Sequence, residues 1–314
     1  MQRFLSSCNR VLEKLHLKKV LGRSLVIAVP YGWHILFFLI PFFIVVRISF
    51  SEGLFAKPPY TPIFEWVDDA TIQLRLSLSS YQALFEDQIA ENLYISSYFE
   101  SIMVAGLSTI VCLLIGYPIA YGIARVSLSW RVPLLMLVIL PFWTSFLIRV
   151  YAWVGILNNK GIINTFLMNL GIINEPLSLI NNTFSVAVGI VYSYLPFVIL
   201  PLYATLEKLN PMLLEAAYDL GCKPFKAFMT ITLPLSIRGI MAGGMLVLIP
   251  SIGEFVIPEL LGGSDSLMIG KTLWNEFFLN RDWPLAAALA VAMLFLLILP
   301  ISLFQRVLKE PGDK

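Results

Sequence analysis

The stretch Ile102–Ile123, IMVAGLSTIVCLLIGYPIAYGI, runs 22 residues without a charge. About 20 apolar residues in a helix cross the hydrocarbon core of a bilayer. Five more runs of this kind follow from the same reading: Leu25–Val46, Val132–Val150, Phe184–Leu206, Gly239–Ile257 and Leu285–Phe304. Two of them carry a charge, Arg149 near one end of the third and Glu254 inside the fifth. In lipid only helices and closed barrels satisfy the backbone, and the alternating ten-residue strands of a barrel are missing. The expectation is an all-α, polytopic membrane protein with six transmembrane helices.

Composition agrees. Of 314 residues 58% are hydrophobic and 13% charged, with a mean hydropathy of +0.81. A soluble domain carries roughly 25% charged residues, so a water-soluble globule of this chain would expose large apolar patches. That excludes a cytosolic enzyme and a nucleic-acid binder. Cys8, Cys112 and Cys222 are scattered and odd in number, which speaks against a disulfide framework or a zinc site. His16 and His34 lie outside ligand spacing of each other, and no nucleophile–base constellation appears. No metal, cofactor or catalytic residue is expected on this chain.

Lys and Arg set the orientation. Fifteen of the 22 basic residues fall on one side of the six spans, from Arg3 to Arg23, at Arg125 and Arg131, from Lys208 to Arg238, and from Arg306 to Lys314. Both termini are therefore expected in the cytoplasm. Residues 1–23 read as a cytoplasmic amphipathic segment, with Phe4, Cys8, Val11, Leu12 and Leu15 at helical spacing opposite Arg10, Lys14 and Lys18. Residues 24–309 form the six-helix domain, and 310–314 a cytoplasmic tail. The first outer loop, 51–98, is acidic and aromatic, which fits either a packed subdomain or a solvated loop.

The cytoplasmic loop 207–238 is too apolar for a solvated connector. Asn210 can cap a short helix with Pro211 in its first turn, Leu213, Leu214, Ala217 and Leu220 make a stripe, and Gly221 stops it. Pro224 can open a second turn carrying Phe225, Phe228, Met229 and Ile231. Either this surface folds under its own bundle or another subunit covers it.

Residues 215–234 of that loop read EAAYDLGCKPFKAFMTITLP. They resemble the EAA motif of ABC-transporter permeases: Glu215, Ala216 and Ala217, three residues, Gly221, nine residues, then Ile231, Leu233 and Pro234. GYPIAYGIAR (116–125), LPFWTSFLIRVYAWVGIL (140–157) and GEFVIPELLGG (253–263), followed by KTLWNEFF and NRDWPLA, are similar to the polyamine-importer branch, the putrescine permeases first and the spermidine permeases next. The resemblance implies a type I ABC importer permease fold in a bacterial inner membrane, working by alternating access. It implies as partners a second homologous permease, a separate ATPase dimer that uses ATP and Mg, and a periplasmic polyamine-binding protein, besides membrane lipid and without nucleic acid. It also implies that Glu215, Ala216, Ala217, Asp219, Gly221, Lys223, Pro224 and Phe225 couple to the ATPase. Gly270-Lys271-Thr272 imitates the end of a phosphate-binding loop, but Asp265 stands where that loop needs glycine.

A polyamine needs carboxylates and aromatic faces along its route. Glu254, flanked by Pro250, Gly253 and Pro258, is an acid where a span should be apolar, so its helix is expected to be interrupted. It either contacts substrate or pairs with Arg149. Trp143, Tyr151, Trp153, Tyr192, Trp274 and Glu259 are further pathway candidates, and the aromatics among them also fit an interfacial belt. Gly239, Gly243 and Gly244 suit close helix packing. The alternatives are an ABC permease for another small cationic or organic solute, an ion-coupled secondary transporter using Glu254, which should show inverted repeats, and a membrane scaffold.

Overall fold

The computed structural model describes residues 17–68, 71–85, 93–263 and 266–308. The N-terminal amphipathic reading up to Leu15, the tail 310–314 and Asp265 lie outside the described residues.

Among the described residues, four helices are long and apolar enough to span a membrane: Val26–Ser49, Leu93–Arg125, Thr183–Leu206 and Trp283–Arg306. Two bent pairs, Leu128–Trp143 with Phe146–Asn169 and Pro224–Leu235 with Ile237–Ile252, turn by 86° and 63° and make six if each counts as one span. The third expected span is thus bent, and the fifth is interrupted before Glu254, as its glycine and prolines predict. The third breaks at Thr144 and Ser145, and the fifth ends at Ile252 rather than Ile257.

The chain divides into two units, Met1–Tyr81 with Trp283–Val291 and Gln82–Asp282 with Ala292–Lys314. In the first, α1 (Leu17–His34) passes through a wide π turn at Ile35–Leu39 into α2 (Ile40–Ser49). Pro41 has no N–H, and the π turn lets the last donor before it, Ile40, reach the Ile35 carbonyl. Beyond α2 the chain forms an antiparallel hairpin, β1 (Phe64–Asp68) with β2 (Thr71–Leu74), in which Trp66 pairs with Ile72. This short sheet is the departure from an all-α chain. The segment is held by Ser49 and Tyr81 hydroxyls 2.8 Å apart, and by the Tyr60 ring stacked on Trp283 at 6.1 Å. A short helix, α3 (Ser79–Ala83), follows.

In the second unit the core is a triple packing of α4 (Leu93–Arg125), α8 (Thr183–Leu206) and α12 (Ile237–Ile252). Between α4 and α8 run α5 (Leu128–Ile139), a 3-10 turn Leu140–Trp143, α6 (Phe146–Leu157) and α7 (Ile162–Asn169). Asn182 caps α8 by accepting the Ser185 N–H at 2.9 Å, while the Ser185 hydroxyl takes the Asn182 N–H. Cys112, Ala120, Val198, Ile199, Leu202 and Val247 fill the center of the packing. Gly239 and Gly243 face α8: a Cβ on Gly243 would sit 3.1 Å from the Val198 backbone, and one on Gly239 2.6 Å from the Thr205 hydroxyl. The glycines serve packing within the bundle.

The loop 207–238 folds as expected into two short helices, α9 (Met212–Asp219) and α10 (Pro224–Ala227), followed by a π turn Phe228–Thr232 and α11 (Leu233–Leu235). Past α12 come α13 (Val256–Leu261), α14 (Ile269–Trp274) with a π turn Asn275–Asn280, and α15 (Trp283–Leu308).

Candidate functional site

Glu254 lies in the gap between α12 and α13, not inside a helix. Gly253 and Phe255 leave helical geometry on either side of it, as the flanking glycine and prolines suggest. Glu254 is 9% exposed. Its Oε1 accepts the Val256 N–H at 3.1 Å, and its Oε2 accepts the Tyr194 hydroxyl of α8 at 2.5 Å. An ionised acid buried with two donors is tolerated, whereas one without partners would not be.

The gap is pinned from behind by α14. Gly270 sits so close that a Cβ there would lie 2.5 Å from the carbonyl oxygens of Gly253 and Glu254, and the Trp274 ring stacks on Phe255 at 4.5 Å with planes 9° apart. The segment leading into α14 is fastened to α4: Glu100 accepts the Leu267 N–H at 3.1 Å, and Ser101 accepts the Ile269 N–H at 2.7 Å. Residues 97, 100 and 101 share one face of α4, and the Thr272 hydroxyl reaches Ser97 at 3.2 Å. The sequence GKT of 270–272 is therefore a buried helix start, with Lys271 paired to Glu259 at 3.4 Å.

Arg149 does not pair with Glu254. It is 9% exposed on α6, and its Nε and Nη1 have no hydrogen-bond partner. Its guanidinium lies 5.0 Å from the Phe142 ring center and 5.8 Å from that of Phe146. The bend at Thr144 and Ser145 folds Phe142 back toward α6, which puts a ring where an anion was expected. Phe142 meets Phe197 edge-on at 5.3 Å, and Phe197 meets Tyr194 at 5.9 Å, so an aromatic row links the Arg149 cage to the donor of Glu254.

Of the other candidates, Trp274 stands beside Glu254 through Phe255. Trp153 and Tyr192 form a separate edge-on pair at 5.4 Å, and Tyr151 is exposed. Trp143 ends the 3-10 turn at the bend and is 77% exposed. Glu276 is buried and accepts from Tyr94 at 3.1 Å and Asn280 at 2.8 Å. Phe142, Phe146 and Phe197 were beyond sequence reasoning, since nothing local separates them from the many other phenylalanines in apolar runs.

At the other end, the loop 207–238 offers a second surface. Asn210 Oδ1 accepts the Met212 N–H at 3.0 Å, and Gly221 stands at φ +79°, where its N–H reaches the Tyr218 carbonyl and that of Cys222 the Ala217 carbonyl. This double bond pattern closes the helix and requires the left-handed residue. Leu214 is buried, but Leu220 is 89% and Phe225 72% exposed, and Glu215, Ala216, Asp219, Lys223 and Pro224 are exposed around them, with Ala217 half-buried. Phe228 turns inward, edge-on to Tyr117 and Tyr121 of α4 at 5.6 and 5.8 Å, and Ser236 meets the Tyr117 hydroxyl at 2.9 Å.

A family model described as the inner membrane component of binding-protein-dependent transport systems matches residues 24–310. The chain is 38% identical over 288 residues to the spermidine/putrescine transport system permease protein PotB of Haemophilus influenzae, covering 90% of this chain and 93% of that one. It is 35% identical over 276 residues to PotB of Escherichia coli strain K12, covering 88% and 94%. Among solved structures, a bacterial ABC transporter involved in the import of the acidic polysaccharide alginate aligns with a TM-score of 0.64 at 18% identity, over 94% of this chain and 100% of that one.

Proposed function

Because the chain belongs to the family of inner membrane components of binding-protein-dependent transport systems, we propose that it is the polyamine-conducting permease of an ATP-driven importer. The chain is a transport subunit of the inner membrane, not an enzyme. The proposed substrate is putrescine or spermidine, and the observation that carries it is Glu254: a buried carboxylate in a helix gap, held by Tyr194 and backed by the Phe255–Trp274 stack. The names of the relatives support the same substrate class. The fold alone does not, since it also serves an importer of an acidic polysaccharide.

On this reading the domain 24–309 lies with both termini in the cytoplasm, as the distribution of basic residues argues, and the loop 51–98 faces the periplasm. Glu254, Arg149, Trp274, Trp153 and Tyr192 border the route, with Trp143, Tyr151 and Glu259 toward its mouth. A second permease completes the route, a periplasmic polyamine-binding protein delivers the substrate, and an ATPase dimer binds ATP and Mg. That ATPase docks on α9, α10 and their turn, where Glu215, Ala216, Ala217, Asp219, Gly221, Lys223, Pro224 and Phe225 lie. The exposed Leu220 and Phe225 give this docking its apolar contact.

The test is ATPase activity of the reconstituted complex with its binding protein, across diamines, triamines and anionic solutes. Stimulation by putrescine or spermidine alone supports the reading; stimulation by neither overturns the substrate.

A further inference from the structure

Two routes join the loop 207–238 to the Glu254 gap. The covalent one is α12, which leaves the loop at Ser236 and ends at Ile252, short of Glu254. It is jointed at both ends. The chain bends by 63° at Ser236, and Gly253 and Phe255 leave helical geometry beyond Ile252. A displacement of the loop is absorbed at either joint before it reaches the carboxylate.

The second route is α4, which runs unbroken for 33 residues, through Pro118, and is fastened at both ends. At the loop end, Tyr117, Tyr121 and Arg125 recur at every fourth position and share one face. Phe228 of the π turn meets the two tyrosine rings edge-on at 5.6 and 5.8 Å, and the Arg125 guanidinium covers Tyr121 at 5.1 Å. The Ser236 hydroxyl donates to the Leu233 carbonyl at 3.0 Å, so its oxygen is left to accept from Tyr117 at 2.9 Å, at the very joint where α12 bends. At the gap end, Glu100 and Ser101 accept the Leu267 and Ile269 N–H groups, and Ser97 meets the Thr272 hydroxyl. Those residues lead into α14, whose Gly270 lies against the Gly253 and Glu254 carbonyls and whose Trp274 stacks on Phe255. Ser101 and Tyr117 stand about 24 Å apart along the axis, at roughly 1.5 Å per residue. A continuous helix with contacts at both ends carries a displacement that a jointed one loses.

We propose that α4 is the rod through which the docking loop moves the Glu254 gap, with Phe228 and Tyr117 as positioning residues at its driven end and Glu100 and Ser101 at its delivering end. ATPase closure against α9 and α10 presses Phe228 on the two tyrosines, and α4 shifts. α14 follows through its bonds to Glu100 and Ser101, and it carries the Gly253 and Glu254 carbonyls and the Phe255–Trp274 stack with it. Glu254 is re-aimed by a loop that does not touch it. The proposal rests on the reading of α9 and α10 as a docking surface and of Glu254 as the substrate carboxylate.

The test uses the full complex, both permeases, the ATPase dimer and the binding protein, in proteoliposomes, and reads putrescine imported per ATP hydrolysed. Phe228→Leu keeps an apolar side chain but removes both ring contacts, and Ser101→Ala removes the acceptor of Ile269 far from the loop. Each should lower the ratio at least about fivefold, with basal hydrolysis within about twofold of the wild type. The double variant should be no worse than the poorer single one, because both interrupt one path. A purely structural role lowers yield, hydrolysis and import together and leaves the ratio alone. An unchanged ratio in either variant, as a route through α12 alone requires, or losses that multiply in the double variant, overturns the proposal; Ser101→Ala decides it if Phe228→Leu fails to assemble. A second arm needs no polyamine. Trapping the ATPase with ADP and vanadate should change hydrogen exchange over residues 253–263 in the wild-type complex and not in Ser101→Ala. No change in the wild type, or an equal change in both, overturns the rod. If neither putrescine nor spermidine stimulates the wild-type complex, the substrate reading fails and this arm still decides; the docking reading is tested apart, by Gly221→Asp.

Discussion

The Tyr194 hydroxyl donates to Glu254 Oε2 across 2.5 Å, joining α8 to the gap that follows α12. A hydrogen bond to a charged group contributes roughly 1.5–3 kcal/mol, and here it also sets the direction of the carboxylate. Tyr194→Phe should lower the Tm of the purified complex by several degrees, while the same change in a Glu254→Gln background should cost clearly less. Equal losses in the two backgrounds would mean that the tyrosine acts by packing alone.

Glu254→Gln keeps the shape of the side chain and one acceptor but removes the charge. If the carboxylate holds a substrate ammonium, apparent affinity for polyamine should fall about tenfold or more, equivalent to about 1.4 kcal/mol, with the assembled complex still purified at wild-type yield. Polyamine-stimulated ATPase activity reads this directly. Wild-type affinity and rate would make Glu254 a structural residue.

Much of this was legible because it is local. Asn210, Pro211 and Gly221 carry their own helix start and stop, and the gap at Glu254 is written in Gly253 and an acid within an apolar run. What stayed hidden depends on long-range geometry. The Tyr194–Glu254 bond joins residues 60 apart in sequence. The bend at Thr144 and Ser145 carries no glycine, and its 86° turn is what swings Phe142, rather than a carboxylate, onto Arg149. Two charges near the same end of two spans look like a pair until the helix between them is known to turn. The hairpin Phe64–Leu74 escaped for a different reason: its strands are four and five residues long, too short for alternation to stand out.

Gly221 separates local strain from partner docking. A Cβ there meets nothing within 4 Å, so the chain itself has room for a side chain, and the cost is the left-handed backbone at φ +79°. Asn and Asp both visit that region with less penalty than other residues. Gly221→Asn should therefore retain much of the transport, whereas Gly221→Asp should abolish it with membrane insertion intact, because the added charge would face the ATPase proposed to dock there. Uptake by Gly221→Asp at the wild-type rate would remove the docking assignment.

Gly243 and Gly244 offer an internal control for packing. A Cβ on Gly243 would press on the Val198 Cα and carbonyl oxygen at 3.1 Å, which are backbone atoms of α8 and yield only if the helices move apart. A Cβ on Gly244 would meet Leu113 and Thr109 side chains at 3.7 Å, an ordinary contact. Overpacking costs typically 1–3 kcal/mol, so Gly243→Ala should lower Tm by several degrees, while Gly244→Ala should leave it within a degree or two. Gly243→Leu should prevent assembly, since α8 also carries Tyr194 and any shift of it displaces the donor of Glu254. Purified yield and Tm of the four variants, Gly239→Ala included, check the order; equal tolerance at Gly243 and Gly244 would mean that α8 and α12 are not in the close contact on which the position of Glu254 depends.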